Sequence, residues 1–166
     1  TTMSILMTAT PISMNIMHGF SLFSTGIVHQ MHVVGMFLPS LITGDLIKKF
    51  GHKKMIYAGI AIMLTTIITH FTFETYFGFM VGLIFLGIGW NFLFVSGTSL
   101  LVVSYNKEDK FLAQGLNDFV VFSSQSIGAL SAGIILFSTS WKTLNLICLP
   151  FLFLLLLFSL INNKKK

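Results

Sequence analysis

The sequence predicts an all-helical protein that crosses a membrane several times. Hydrophobic residues make up 54% of the 166 residues and charged residues only 9%, whereas an ordinary soluble domain has about 25% charged residues. So few charges cannot cover a water-facing surface, and the mean hydropathy of +0.88 indicates lipid as the solvent. At about 20 residues per span, the chain holds at most six or seven spans and no soluble domain.

Six apolar segments follow one another along the chain. We expect all of them to be helices, because a single chain in lipid must satisfy its backbone hydrogen bonds internally. The first segment is barely long enough to cross, and the last is the most apolar, with a kink expected at Pro150. The predicted spans are about 1–17, 22–47, 55–72, 76–104, 112–138 and 143–161.

The lysines predict how these spans are oriented. Nine of the ten lysines follow the second, fourth or sixth span, and the alternate connections hold only Lys142. Because basic residues favour the cytoplasmic side, both ends of the segment are expected in the cytoplasm. The turns near His18, Glu74 and Ser140 are then expected outside. The nine are Lys48, Lys49, Lys53, Lys54, Lys107, Lys110, Lys164, Lys165 and Lys166. This placement favours a membrane surface over nucleic acid as the partner of the basic residues.

Polar side chains are distributed unevenly among the spans. The first, second, fourth and fifth spans carry most of them, whereas the third has mainly threonines and the sixth has almost none. Polar residues in a membrane face protein or a water-filled cavity. We therefore expect four spans to line a path, with the third and sixth at the periphery. The order polar, polar, apolar occurs twice, as two inverted three-helix repeats would give.

Six side chains in these spans are candidates for a substrate cavity: His29, His32, Trp90, Asn91, Thr98 and Gln125. His29 and His32 share one helix face and suit proton coupling, with hydrogen bonds between helices as the alternative. Trp90 suits stacking on a ring-bearing substrate or packing in the core. No nearby Cys or carboxylate completes a metal site, so neither a metal nor a cofactor is expected.

The fifth span contains an acidic residue, Asp118. It lies about 12 Å along the helix from Lys110, near one end. A substrate or proton site, a gate contact and a structural helix-end aspartate are the alternatives. The glycines of the fourth span, which are Gly87, Gly89 and Gly97, are expected to allow close helix packing.

The stretch GDLIKKFGHKK, at 44–54, resembles the signature loop of the major facilitator superfamily, Gly-x-Leu-x-Asp-Arg-x-Gly-Arg-Arg. The matching positions are Gly44, Leu46, Lys49, Gly51, Lys53 and the basic residue after it. Lys48 stands where the family usually has aspartate, so the salt-bridge latch attributed to that aspartate is not expected in the same form. Asp45, one residue past the first glycine, is not a direct substitute.

Longer stretches are similar to the C-terminal half of a bacterial subgroup of this superfamily that includes riboflavin-transporter-like permeases. They are MTATPISM near the start, HVVGMFLPSLITG at 32–44, GWNFLFVSGTSLL at 89–101 and QGLNDFVVF at 114–122. The resemblance implies six helices, the seventh to twelfth of the full fold, of which the seventh, eighth, tenth and eleventh line the central cavity. It also implies secondary transport of a small molecule by alternating access across the bacterial cytoplasmic (inner) membrane, and no enzyme activity.

A half-size segment supplies only one wall of such a cavity. The expected partners are a missing N-terminal six-helix half or a second half-size subunit, and Asn117 and Asp118 are then gate contacts toward that partner. Because the sequence starts with Thr1 and not methionine, we expect a piece of a longer permease. The alternative is a truncated or noncatalytic membrane subunit without transport activity. A rhomboid-like protease is disfavoured, since Phe94 stands where its motif needs glycine.

Overall fold

The computed structural model describes residues 1–161, and these residues form helices joined by short connections. The helices are α1 (Thr2–Ile12), α2 (Leu22–Phe37), α3 (Ser40–Phe50), α4 (His52–Thr72), α5 (Tyr76–Val102), α6 (Lys110–Ser138), α7 (Trp141–Ile147) and α8 (Leu149–Ile161). A π-helical turn at Ser13–Met17 extends α1, and a 3₁₀ turn at Lys107–Asp109 precedes α6. The all-helical prediction is confirmed for this part of the chain.

Within residues 1–161, five helical segments are long and apolar enough to cross a bilayer. They are Leu22–Phe50, His52–Thr72, Tyr76–Val102, Lys107–Ser138 and Trp141–Ile161. The helix at 2–17 is shorter than the ~20 residues that a full crossing needs, so a sixth span stays a prediction. The tail lysines Lys164, Lys165 and Lys166, which helped to predict the orientation, lie outside the described residues.

Two of the expected spans are interrupted next to a proline. α2 and α3 meet at a turn formed by Leu38 and Pro39, where Pro39 has no N–H to donate to the carbonyl of Gly35. α7 and α8 meet at Cys148, two residues before Pro150, as the predicted kink requires. The break at Pro39 was not predicted from the sequence.

The predicted loop at 44–54 is almost entirely helical, which corrects the sequence prediction. α3 continues through Gly44, Leu46 and Lys49 to Phe50, and Gly51 alone separates it from α4. Gly51 has a φ of +83°, a backbone conformation that only glycine adopts without strain. No residue before it breaks a helix, and the lysines in the last turn of α3 complement the negative end of the helix dipole.

The centre of the bundle is α5, which packs most extensively on α4 and α2. At the α2–α5 crossing, a Cβ added to Gly87 would lie 2.5 Å from the carbonyl oxygen of His32 and 2.8 Å from the backbone nitrogen of Met36. The expected close packing therefore holds at Gly87. It does not hold at Gly97, where an added Cβ would meet nothing within 4 Å.

α1 packs on α6 to form the other part of the bundle. Ser4 Oγ donates to the carbonyl oxygen of Gln125 at 2.6 Å, which joins the two helices. The buried core lies where α1 meets α5 and α6 meets α7, and it includes Leu6, Ala9, Phe79, Leu83, Leu86, Leu136 and Leu144. This packing fixes the side of α1 and α6 that faces the cavity described next.

Candidate substrate cavity

A cavity of about 400 Å³ lies among α1, α2, α5 and α6. These helices belong to the first, second, fourth and fifth predicted spans, the four that carry polar side chains. Neither α4 nor α8 contributes to its wall. The lining residues are Met3, Met7, His29, Val33, Met36, Phe37, Trp90, Phe94, Val121, Phe122 and Gln125.

Three of the predicted site residues, His29, Trp90 and Gln125, line this cavity together. A neighbouring cavity of about 300 Å³ shares Met3, Trp90 and Gln125 with it, so Trp90 and Gln125 lie between the two. The rings of Trp90 and Phe94 are nearly parallel, with centroids 4.6 Å apart and an interplanar angle of 10°. None of the described residues that line the larger cavity is Asp, Glu or Lys.

Helical spacing explains how the wall is built. His29, Val33 and Phe37 are four residues apart along one face of α2, and the same spacing separates Trp90 from Phe94 on α5. On α2 and α5 the wall is therefore formed by stripes of mostly apolar side chains that include a few polar groups, which is the usual composition of a small-molecule site.

His32 lies behind the wall and not on it. Its side chain is fully buried, and Nδ1–H donates to the carbonyl oxygen of Leu83 on α5 at 2.9 Å. The ring centroids of His29 and His32 are 6.3 Å apart. The predicted alternatives for this pair were proton coupling and hydrogen bonds between helices, and His32 makes such a bond. His29 instead lines the cavity, and its buried Nδ1 has no hydrogen-bond partner among residues 1–161.

The remaining cavity candidates are engaged elsewhere. Asn91 is buried, donates to the carbonyl oxygen of Met36 and to Ser40 Oγ, and accepts from Thr43 Oγ1. The Thr98 hydroxyl donates to the carbonyl oxygen of Phe94 in its own helix. Neither Asn91 nor Thr98 belongs to the cavity lining. Their side chains instead form hydrogen bonds within the helix bundle.

The predicted gate residues lie on an exposed part of α6. Asn117 Nδ2 donates to Asp118 Oδ1 at 3.1 Å, and the Asp118 side chain is exposed. In the signature segment, Asp45 Oδ1 pairs with Lys48 Nζ at 3.0 Å, with both side chains about four-fifths exposed. Lys48, which replaces the family's usual aspartate, therefore pairs with the acidic residue three positions before it.

At the other end of α4 from Gly51, three turns meet around one carboxylate. His18 Nε2 lies 3.0 Å from Glu74 Oε2, and Lys142 Nζ lies 3.8 Å from Glu74 Oε1. We name His18, Glu74 and Lys142 the Glu74 cluster. The lysine pattern predicts that these turns lie on one side of the membrane, but it does not predict a site there.

Most of the apolar wall, including Met3, Met7, Phe94 and Phe122, was not predicted from the sequence. In the sequence these residues look like ordinary core or lipid-facing positions, because they lack the polar side chains that mark a site within an apolar span. The signal that was present is the spacing of Phe94 from Trp90, since residues four apart meet on a helix surface.

Comparison with known proteins identifies the family. The model of the Major Facilitator Superfamily matches residues 1–166. The riboflavin transporter RfnT of Brucella anthropi is 36% identical over 169 aligned residues, which cover 99% of this chain and 41% of RfnT. The uncharacterized MFS-type transporter YdeG of Bacillus subtilis is 35% identical over 144 aligned residues, which cover 86% of this chain and 33% of YdeG.

A third relative, the MFS-type transporter YddS of Bacillus subtilis, is 31% identical over 146 aligned residues. The chain thus spans between one third and two fifths of the length of the curated relatives it matches. All three relatives are named as transporters and none of them as an enzyme. The multi-pass helices, the signature segment and these matches together show that the chain belongs to the Major Facilitator Superfamily.

Proposed function

We propose that this chain forms one half of a secondary active transporter, which moves a small molecule by alternating access. The partner is a second six-helix half, supplied either by the same polypeptide or by another subunit. Two halves that rock around a site near the bilayer midplane are the usual architecture of such transporters. The observation that carries the proposal is the cavity wall, to which α1, α2, α5 and α6 contribute and α4 and α8 do not.

The composition of the wall favours a neutral substrate with a flat ring. A carboxylate or ammonium group of the substrate would lack a charged counterpart among the described lining residues, and burying an unpaired charge is costly. Trp90 offers an aromatic face, while His29 and Gln125 offer hydrogen-bonding groups beside it. RfnT is named a riboflavin transporter, and a flavin is a flat ring system with polar edges. Riboflavin is therefore the first substrate to test.

We also propose the orientation and location predicted from the lysines. The protein lies in the bacterial cytoplasmic membrane with both ends of this segment inside. The Glu74 cluster is then at the outer surface, and Gly51 is at the cytoplasmic surface. The grouping of the turns at His18, Glu74 and Lys142 supports this arrangement, since the three are expected on the same side.

Uptake by reconstituted protein tests the proposal. The complete gene product is placed in liposomes, and accumulation of radiolabelled riboflavin is measured in the wild type and in Trp90→Ala. We expect uptake by the wild type and a loss of about tenfold or more in the variant, because stacking on one ring contributes about 1–3 kcal/mol. The matched control is Thr98→Ala, on the same helix but outside the wall, which should retain uptake.

Each outcome of this experiment has a definite meaning. Uptake of another flat neutral compound that is equally sensitive to Trp90→Ala would support the proposed transport function. That compound would then replace riboflavin as the proposed substrate. Folded protein that transports no member of a panel of such compounds, alone or with a co-expressed second half, would contradict the proposal. It would favour the alternative of a membrane subunit or remnant without transport activity.

A further inference from the structure

A groove of about 480 Å³ lies between α4 and α8. Within the described part of the chain, every residue that lines it is apolar, and none of them belongs to the wall of the 400 Å³ cavity. We name this space the α4–α8 groove. Its lining residues are Ile60 and Leu64 on α4 and Leu149, Pro150, Leu152, Phe153 and Leu156 on α8.

Two contacts hold α4 against the last two helices, one on each side of the groove. Near one end of α4, Trp141 Nε1 of α7 donates to the carbonyl oxygen of His70 at 3.1 Å. Near the other end, the Tyr57 hydroxyl of α4 lies 3.5 Å from the carbonyl oxygen of Ser159 on α8. About 20 Å of α4 lie between Tyr57 and His70, and the groove residues of α4 are within that length.

The groove has a buried floor and an exposed rim. Pro150 has no N–H to donate, and the helix is interrupted at Cys148, so α8 need not continue the line of α7. Ile60 and Leu152, each 3% exposed, form the floor, whereas Phe153 is 60% exposed at the rim. The groove is therefore closed toward the core and open toward the outside of the bundle.

The open side of the groove faces lipid. Neither α4 nor α8 contributes to the wall of the substrate cavity, where the second half of the transporter is proposed to close. Around the groove, α8 exposes many large apolar side chains, as membrane helices do toward lipid. They include Phe151, Phe153, Leu154, Leu157 and Phe158. A groove without polar groups offers only van der Waals contacts, and an acyl chain needs no other kind.

The position of the groove along α4 matches the depth of a lipid chain. Ile60 and Leu64 follow His52, the first residue of α4, by about 12 and 18 Å along the helix. The hydrocarbon of one leaflet is about 15 Å deep, half of the ~30 Å core. A phospholipid whose headgroup lies at the beginning of α4 therefore places its chain beside the groove.

The face of α4 that leads to the groove begins with a basic side chain. Lys53 lies seven residues before Ile60, so the two share one helix face, two turns apart. The neighbouring Lys54 is exposed. Between Lys53 and Ile60, Tyr57 lies on the same face, and tyrosine is enriched where membrane meets water. The basic side chains are thus at the level of a lipid headgroup.

Other charges at this end of α4 are also mainly basic. Lys48 and Lys49 lie in the last turn of α3, directly before Gly51 and α4. Asp45 pairs with Lys48, and no acidic residue follows it in the sequence before Glu74, at the other end of α4. Clusters of four to eight basic residues beside a membrane helix are typical of binding to anionic lipids. These lysines therefore favour a negatively charged headgroup over a zwitterionic one.

We propose that the α4–α8 groove binds one acyl chain of an anionic phospholipid, whose phosphate pairs with Lys53 and Lys54. The chain fills the space that lies between the two contacts of α4 with α7 and α8, and so holds α8 against α4. This site is separate from the substrate cavity, and the inference does not depend on transport of any substrate.

Lipid binding to the purified protein tests the headgroup preference. The complete gene product is stripped of lipid in detergent and mixed with phosphatidylglycerol or phosphatidylcholine that carry the same acyl chains. Native mass spectrometry counts the bound lipids. We expect one phosphatidylglycerol to bind at a concentration about tenfold or more below that of phosphatidylcholine, because each lysine contributes about fivefold. Equal binding of the two lipids would indicate general lipid contact and overturn the proposal.

Two double variants locate the headgroup. Lys53→Gln combined with Lys54→Gln should weaken the binding of phosphatidylglycerol about tenfold or more. The matched control, Lys107→Gln combined with Lys110→Gln, removes two charges next to the beginning of α6 and should leave the tight site unchanged. Equal binding by the two double variants would contradict the assignment to Lys53 and Lys54.

A larger side chain in the groove tests the site of the acyl chain. Leu64→Trp occupies part of the groove and should weaken the binding of phosphatidylglycerol several-fold. The control is Ile68→Trp, one turn further along α4, where the side chain is 65% exposed and does not line the groove. If Leu64→Trp binds phosphatidylglycerol as tightly as Ile68→Trp does, the acyl chain lies elsewhere and the proposal is wrong.

Photo-crosslinking of the wild type provides a second readout if Leu64→Trp does not fold. Phosphatidylglycerol with a photoreactive group in its acyl chain is bound at one lipid per protein, and the crosslinked peptides are identified. Crosslinks should be concentrated in residues 60–64 and 149–156. Crosslinks spread evenly over the exposed helices would identify ordinary surrounding lipid and overturn the proposed site.

Discussion

The side-chain amide of Asn91 on α5 donates to the backbone carbonyl oxygen of Met36 on α2 at 2.8 Å. This bond lies three residues before Pro39, where α2 ends. The same amide also contacts Ser40 and Thr43 of α3. One side chain on α5 thus holds both sides of the proline break and fixes the angle at which α3 leaves α2.

Replacing this amide should destabilise the bundle. We expect Asn91→Ala to lower the free energy of unfolding by about 1–2 kcal/mol, since bonds between membrane helices contribute about 0.6 kcal/mol on average and up to about 1.7 kcal/mol. Thr98→Ala is the control, because the Thr98 hydroxyl bonds only within its own helix. Unfolding in detergent, followed by circular dichroism, measures both. Equal stability of the two variants would contradict the role given to Asn91.

The glycines of α5 should differ sharply in their tolerance of a methyl group. Gly87→Ala places a Cβ against the backbone of α2, and overpacking of this kind costs about 1–3 kcal/mol. Gly97→Ala meets open space and should stabilise the helix by up to about 1 kcal/mol. The thermal unfolding temperature, measured for both variants, should be lowered in Gly87→Ala and unchanged or raised in Gly97→Ala. A neutral Gly87→Ala would contradict the close α2–α5 crossing, and a destabilised Gly97→Ala would contradict the open space beside that glycine.

The two histidines of α2 should have different roles. His29→Gln changes a group on the cavity wall, so we expect a several-fold change in uptake or in its pH dependence with a folded protein. His32→Gln removes a buried ring from the α2–α5 contact and should mainly lower stability, by about 1–3 kcal/mol. Uptake and unfolding are measured on both variants. If pH-dependent uptake is the same in both as in the wild type, neither histidine couples protons to transport.

Labelling from outside the cell tests the orientation. Cysteines replace Thr139 and Asn106 one at a time in a Cys148→Ser background; Thr139 precedes α7 and Asn106 precedes α6. A membrane-impermeant maleimide should label the first in intact cells, and the second only after the membrane is permeabilised. The opposite pattern would invert the proposed topology and place the Glu74 cluster in the cytoplasm.

Composition and polar patterning predicted the helical class and the helices that form the cavity. The helical class is confirmed for residues 1–161, because lipid imposes helices on a single chain. That the four polar helices line a substrate path stays a prediction, which follows from the need of polar side chains for partners within the protein. His29, Trp90 and Gln125 were identified in this way and do line one cavity. The pattern, however, does not say which face of a polar helix meets its neighbour.

Because the sequence pattern does not give the orientation of each helix, some predicted site residues lie outside the cavity. Asn91 is next to Trp90 in sequence, but successive residues point about 100° apart on a helix, so Asn91 faces α2 and α3 while Trp90 faces the cavity. The Glu74 cluster joins residues 56 and more positions apart, which helical periodicity cannot detect. The signature segment looked like a loop because it is charged, but charge alone does not interrupt a helix before Gly51.

Gly51 also limits how far α3 and α4 can separate. Consecutive Cα atoms are about 3.8 Å apart, so a single intervening residue leaves α3 and α4 almost no slack. The other end of α4 lies next to Glu74, about 30 Å away along a helix of 21 residues. One helix, held along its length by α5, therefore joins the signature segment to the Glu74 cluster.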